Sequence, residues 1–317
     1  MKKVLVTIKL LKSNEDRISR IWDAKLNLKE ETYSQSKLIE LSKDCDGILS
    51  SILDKIDKQT INRLSDKVKI ISNFAVGFGN IDIKASKERN IVVTNTPDVL
   101  TEATAEIAML LILGASRRVV EGIEWAKKQN WRWSANFLMG KQLTGSRLGI
   151  LGMGRIGKAV AKRAKAFGMK IHYHNRSRLE AHLENGAIYH NSIQSLFSAT
   201  DILSINCPST KETRNIINKE TLKYFPEGAI ITNSARGEMI NDEDMVEALK
   251  NKKIYALGLD VYNGEPNMHS GYLNQPNVFI LPHLGSSTKK TRTDMADLAI
   301  SNIEEFFKTG KCKNKVN

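Results

Sequence analysis

Ser146-Arg147-Leu148-Gly149-Ile150-Leu151-Gly152-Met153-Gly154-Arg155-Ile156-Gly157 decides how the rest of this chain is read. An apolar run, Leu148 to Leu151, meets Gly152-x-Gly154-x-x-Gly157, and a helix-permissive segment follows with Ala159, Val160, Ala164 and Phe167 on its apolar positions. That is a strand, a tight turn and a helix start. The first glycine permits the turn, the second lets the backbone approach a pyrophosphate, and the third lets helix pack on strand. The helix N-terminus then offers unpaired N–H groups and a positive dipole end to an anion. The stretch therefore predicts a dinucleotide-binding unit, with Gly152, Gly154, Arg155, Ile156 and Gly157 around the phosphates.

The next strand, predicted over 170–174, carries the other half of such a site. Sites that prefer NAD place an acid after this strand to bond the adenosine ribose hydroxyls. Here Asn175-Arg176-Ser177-Arg178 follows, with no acid. A guanidinium pairs bidentately with a 2′-phosphate, and Asn or Ser adds hydrogen bonds. Asn175, Arg176 and Ser177 thus predict NADP(H) as preferred coenzyme, with NAD(H) possible. A solvated basic turn on a lysine-rich protein is the plainer alternative.

Outward from this core the pattern stays the same. Strands are predicted at 148–151, 171–174, 187–189, 202–206, 229–233, 256–260 and 278–280, with helices between them and Asn241 as the cap of one over 242–250. Before residue 97, strands at 4–8, 47–51, 69–73 and 91–93 alternate with helices near 15–22, 34–41 and 58–64. Such alternation implies parallel sheets with helices on their faces. The fold expected is α/β with two doubly wound parallel-sheet domains, a flavodoxin-like substrate domain (1–99 plus 288–317) and a Rossmann dinucleotide-binding domain (100–287). Between two strands of the first lies Phe74-Ala75-Val76-Gly77-Phe78-Gly79-Asn80-Ile81-Asp82, whose glycines free the backbone to bind a carboxylate, unless it is a plain turn. Thr101 is placed to cap one long helix over 102–128, apolar nearly all round at Ile107 to Leu113. Trp125, Trp131, Trp133 and Phe137 follow as an interface or core anchor, read here as a homodimer contact. An amphipathic helix over 291–308 is expected to return to the first domain.

Composition narrows the function classes. Forty-eight Lys and Arg against 35 Asp and Glu give a formal charge of +13. The basic residues are scattered among acids rather than gathered in an arm, which speaks for attraction of anionic coenzyme and substrate and against nucleic acid. Cys45, Cys207 and Cys312 are odd in number and lack metal-ligand spacing, so neither a disulfide framework nor a metal is expected. No apolar run is long enough for a bilayer, and residues 2–8 read as a strand rather than a signal peptide. A cytoplasmic protein without membrane partners is expected.

Three polar residues stand just after predicted strands: Arg236 in Asn233-Ser234-Ala235-Arg236-Gly237, Glu265 in Asp260-Val261-Tyr262-Asn263-Gly264-Glu265, and His283 in Pro282-His283-Leu284-Gly285. Singly they read as a surface arginine, a turn glutamate and a capping histidine. Together, at the carboxyl ends of parallel strands beside a nicotinamide-type site, they supply what carbonyl reduction needs. From about Lys43 to Asn302 these blocks, with Gly152-x-Gly154-Arg155-Ile156-Gly157, resemble the D-isomer-specific 2-hydroxyacid dehydrogenase family, in its glyoxylate/hydroxypyruvate reductase branch.

The resemblance implies that Arg236 orients a 2-keto acid, His283 donates the proton and Glu265 pairs with His283. It implies substrate contacts from Leu53, Val76 and Gly77. It also implies that Thr104, Cys207, Pro208, Thr213, Ser234, Ala235, Arg236, Asp260, His283 and Gly285 lie around the coenzyme, Asp260 near the nicotinamide amide. The activity expected is NADPH-dependent reduction of small 2-keto acids such as glyoxylate and hydroxypyruvate, in a cleft that closes to exclude water. Two alternatives stand beside it. One is an NAD-dependent phosphoglycerate dehydrogenase-like or other D-2-hydroxyacid dehydrogenase, and the other a dinucleotide-sensing corepressor that binds without turnover. Glu265 is the position that formate dehydrogenases replace with an amide, which disfavours that relative.

Overall fold

Short strands whose every residue is buried, such as Gly47–Ser50 and Ile202–Ile205, fit parallel sheets covered on both faces. The computed structural model describes residues 1–317, and they form two units, Met1–Leu100 with Ser287–Asn317, and Thr101–Ser286.

The first unit runs β1 (Lys3–Val6), α1 (Lys12–Ile21), β2 (Asp23–Lys25), α2 (Gln35–Leu41), β3 (Gly47–Ser50), α3 (Lys58–Arg63), β4 (Ile70–Asn73), α4 (Ile83–Glu88) and β5 (Val92–Thr94). Its five strands lie in the order β2-β1-β3-β4-β5, all parallel, the flavodoxin-like doubly wound order. Leu5, Ile48, Ile71 and Val93 form the centre of its core. Two elements escape the hydrophobic pattern. β2 is a three-residue edge strand of polar composition, and α4 is a short helix started by Asp82, whose carboxylate accepts the Ala85 N–H at 2.9 Å. The C-terminal helix, Lys289–Thr309, belongs to this unit. The Ser72 hydroxyl donates to its Ala299 carbonyl at 3.0 Å, and Arg17 of α1 reaches Asp297 and Glu304 at 2.7 and 2.6 Å.

The second unit opens with two helices, α5 (Thr101–Ser116) and α6 (Val119–Lys128), where the sequence suggested one. Arg118 takes a left-handed conformation, φ 55°, and turns its guanidinium onto Glu121 at 2.7 and 2.6 Å. The freed Ser116 carbonyl is taken by the Lys141 N–H at 2.8 Å, which satisfies the helix end. α5 is the apolar part, buried nearly all round, and packs against α7 (Arg155–Ala166). The aromatic segment after α6 is no part of the core. Trp125 and Trp131 gather on Phe137, with Trp131 50% and Trp133 83% exposed.

The sheet of this unit comprises β6 (Arg147–Leu151), β7 (Lys170–His174), β8 (Ile188–Tyr189), β9 (Ile202–Ile205), β10 (Ala229–Asn233), β11 (Ile254–Leu259) and β12 (Val278–Ile280). Short helices α8 (Ala181–Glu184), α9 (Ile193–Ser198) and α10 (Lys219–Leu222) and the longer α11 (Asp242–Lys250) connect them. Asn241 caps α11 as the sequence suggests, accepting the Asp244 N–H at 3.0 Å. The order β12-β11-β10-β9-β6-β7-β8 is parallel throughout and reverses direction at β6. In such sheets ligands bind beyond the carboxyl ends of the strands at the reversal. Two apolar layers cover its faces, one around Phe197, Phe225 and Tyr272, the other around Ile112, Val160 and Tyr173.

Candidate active site

The glycine turn sits at that reversal, between β6 and α7. Gly152 has φ 97°, which only glycine adopts readily, and a Cβ there would lie 2.6 Å from the Cys207 backbone nitrogen. A Cβ on Gly157 would collide with the Gly152 carbonyl, so the third glycine is needed for close packing. Around Gly154, where a Cβ would meet nothing within 4 Å, the surface is open at the N-terminus of a 12-residue helix. This chemistry fits the pyrophosphate of a dinucleotide.

The end of β7 divides its polar residues between scaffold and solvent. Asn175 accepts the Met153 N–H at 2.7 Å, so its side-chain oxygen holds the glycine turn in shape. Arg178 is committed to Glu184 at 2.8 and 3.1 Å, and the Glu184 carboxyl, bonded by Arg178 and Tyr173, is held down to about 2. Arg176 and Ser177 are exposed and make no side-chain hydrogen bond or ion pair within the chain. On the other side of the turn, Cys207 is largely enclosed and burial pushes its thiol up to about 11. Thr213 spends its hydroxyl within the following loop, accepting from the Thr210 N–H at 2.7 Å and donating to the Pro208 carbonyl at 2.8 Å.

The loops after the neighbouring strands β10, β11 and β12 carry Arg236, Glu265 and His283. His283 Nδ1 lies 2.6 Å from Glu265 Oε2, and the other carboxylate oxygen accepts the Tyr262 N–H at 3.1 Å. Burial alone would raise the Glu265 carboxyl, but the bonded His283 and the nearby Arg236 charge hold it below the ordinary range. Arg236 is kept at its loop by Asn233, which donates to the Arg236 carbonyl at 2.8 Å and accepts the Ala235 N–H at 2.9 Å. Its guanidinium rests on the Ala235 carbonyl at 2.6 Å. Ser234 and Ala235 are half-buried at the same strand end.

Asp260 does more for the protein than its sequence position suggests. It is 1% exposed, and its two oxygens accept the N–H groups of Leu284 at 2.6 Å and Gly285 at 2.8 Å. Its own carbonyl accepts the His283 N–H at 2.9 Å. Burial raises its carboxyl, and the two amides oppose that shift. This clamp holds His283 at φ 57°, an unusual backbone for a residue with a side chain. Thr104 adds a bond from its hydroxyl to the Gly285 carbonyl at 2.9 Å.

In the first unit, Val76 and Gly77 follow β4, and Leu53, 64% exposed, follows β3. The 76–77 loop is fixed by residues the sequence reading passed over. Asn95 donates to the Val76 carbonyl at 2.8 Å and Asn73 to the Gly77 carbonyl at 2.9 Å. Asn233, Asn73 and Asn95 each stand at or just beyond a strand end, the one signal that could have found them.

A family model described as D-isomer specific 2-hydroxyacid dehydrogenase, NAD binding domain, matches residues 109–285. The chain is 40% identical over 309 residues to a glycerate dehydrogenase of Hyphomicrobium methylovorum, covering 96% of each protein. It is 37% identical over 321 residues to a glyoxylate reductase of Thermococcus litoralis, covering 99% of this chain and 96% of that one. Among solved structures it resembles an NADPH-dependent glyoxylate/hydroxypyruvate reductase from Sinorhizobium meliloti in complex with NADP and malonate. That likeness has a TM-score of 0.89 and 32% identity, and spans 99% of this chain and 96% of the other. With both sheets, the glycine turn and this kinship in agreement, the chain belongs to the D-isomer-specific 2-hydroxyacid dehydrogenase family and is an NAD(P)-dependent oxidoreductase.

Proposed function

We propose that the protein reduces small 2-keto acids, glyoxylate and hydroxypyruvate foremost, to D-2-hydroxy acids with NADPH, and accepts NADH less well. The observation that carries this reading is the 2.6 Å contact between His283 and Glu265 on the loops beside Arg236. Bound reduced nicotinamide supplies the hydride. His283 gives the proton from its Nε2, the ring nitrogen that Glu265 does not hold. Arg236 faces the carboxylate and the carbonyl oxygen, where a fixed guanidinium stabilises the growing negative charge. Glu265 holds the imidazole in orientation through Nδ1. Asp260 is a positioning residue that sets the His283 backbone, and Thr104 and Gly285 complete that clamp.

Gly152, Gly154, Arg155, Ile156 and Gly157 bind the pyrophosphate, flanked by Cys207 and Pro208, with Thr213 shaping the loop beyond. Arg176 and Ser177 take the 2′-phosphate, and the Asn175 amide nitrogen assists. Ser234 and Ala235 line the coenzyme, and Leu53, Val76 and Gly77 contact the substrate. The working form is a cytoplasmic homodimer. The experiment is a panel following oxidation of NADPH and NADH with glyoxylate, hydroxypyruvate, pyruvate and 2-ketogluconate. Turnover of the first two, faster with NADPH, is expected, and no turnover of any of them rejects the reading.

A further inference from the structure

Arg292, in the first turn of the C-terminal helix, is a half-buried guanidinium without an anion. No carboxylate or other acceptor within the chain takes a hydrogen bond from it, and burial lowers its pKa from the usual arginine value. Its one marked contact is the ring of Phe74, whose centroid lies 5.8 Å from the guanidinium carbon. Arginine keeps its charge in proteins. A partly desolvated charge left unpaired is costly, so its retention calls for an anion that arrives from outside.

Phe74 also begins the loop that carries Val76 and Gly77. In a peptide group the N–H and C=O point in opposite directions. Because Asn95 and Asn73 hold the Val76 and Gly77 carbonyls, the N–H groups of Gly77 and Phe78 face away from those anchors. Neither donates to another backbone group. Two free amides and an unpaired guanidinium stand at the two ends of one short loop, both within the first unit.

We propose that Arg292 is a second substrate-binding residue, which takes the carboxylate of the 2-keto acid together with the Gly77 and Phe78 amides. This inference rests on the reductase reading above. It assigns to the first unit its own hold on the carboxylate.

The test uses Arg292→Met, which keeps the packing on Phe74, and Arg292→Lys, which keeps the charge without the fork. Loss of a charge-assisted contact weakens binding roughly 10- to 100-fold. The Met variant should therefore raise KM for glyoxylate, and the calorimetric Kd of oxalate for the coenzyme-free protein, by about that factor. Its kcat and NADPH affinity should stay near wild type, with Lys in between. Its melting temperature should hold or rise, because an apolar side chain replaces an unpaired charge. A KM and oxalate affinity within twofold of wild type overturns the proposal, and so does a joint fall in melting temperature, NADPH affinity and oxalate affinity. If the wild type reduces no keto acid, the oxalate arm still decides. Loss of oxalate binding in the Met variant supports the anion site, and unchanged binding overturns it.

Discussion

Glu265 Oε2 and His283 Nδ1 lie 2.6 Å apart, and that bond helps hold the Glu265 carboxyl below its ordinary range against the effect of burial. In the proposed reaction the proton comes from the imidazole, so reduction should slow toward alkaline pH. An amide in place of Glu265 cannot hold that proton. Glu265→Gln should move the alkaline fall of kcat/KM for reduction to lower pH and remove part of the roughly 100- to 10,000-fold that general-acid catalysis contributes. An unmoved pH profile contradicts the pairing. Arg176 offers a second check, on the coenzyme. Arg176→Ala should weaken NADPH by about 1.5–3 kcal/mol, the range of a charge-assisted contact, and leave NADH nearly unchanged in fluorescence titrations. Arg236, Glu265 and His283 were legible in the sequence because each follows a strand of one parallel sheet. Asp260 was expected near the nicotinamide amide only from the family resemblance, and its bonds to the Leu284 and Gly285 amides were not legible, since no side-chain motif announces backbone partners. Arg292 was not legible at all. A lysine-rich chain offers many candidate cations, and only packing tells which lacks a partner.

The glycine turn is the element whose letters and geometry agree most fully. Gly152→Ala should cost about 1–3 kcal/mol of stability for the positive φ alone. The near contact with Cys207 would add to this by pushing the turn off the coenzyme. Chemical denaturation and NADPH titration should both register the change, and a variant normal in both would contradict the tight geometry. Strands of consecutive buried apolar residues were equally readable, as was the Asn241 cap. The break between α5 and α6 was not. Arg117 and Arg118 are good helix formers, and what ends α5 is a carbonyl claimed by Lys141, far along the chain. β2 failed for a different reason, because a polar edge strand of three residues has no apolar period to detect.

At the scale of the whole molecule, two doubly wound sheets and a surplus of positive charge suit an enzyme that gathers anions. No helix is long and apolar enough to cross a membrane. The Trp125, Trp131 and Phe137 cluster, with Trp133 nearby in sequence, leaves large aromatic side chains in water, a feature that suits the proposed homodimer contact. Sedimentation should find a dimer. Trp131→Ser combined with Trp133→Ser should shift it toward monomer and make the melting temperature depend more steeply on protein concentration. An unchanged dimer would place the interface elsewhere.

Asn175 holds the glycine turn through a single side-chain oxygen. Its oxygen supports Met153, so an isosteric Asp could take over that support and at the same stroke present a second oxygen where an amide nitrogen now stands. In the proposed NADPH site that exchange would set a carboxylate beside Arg176, and the same turn would then favour NADH without being rebuilt.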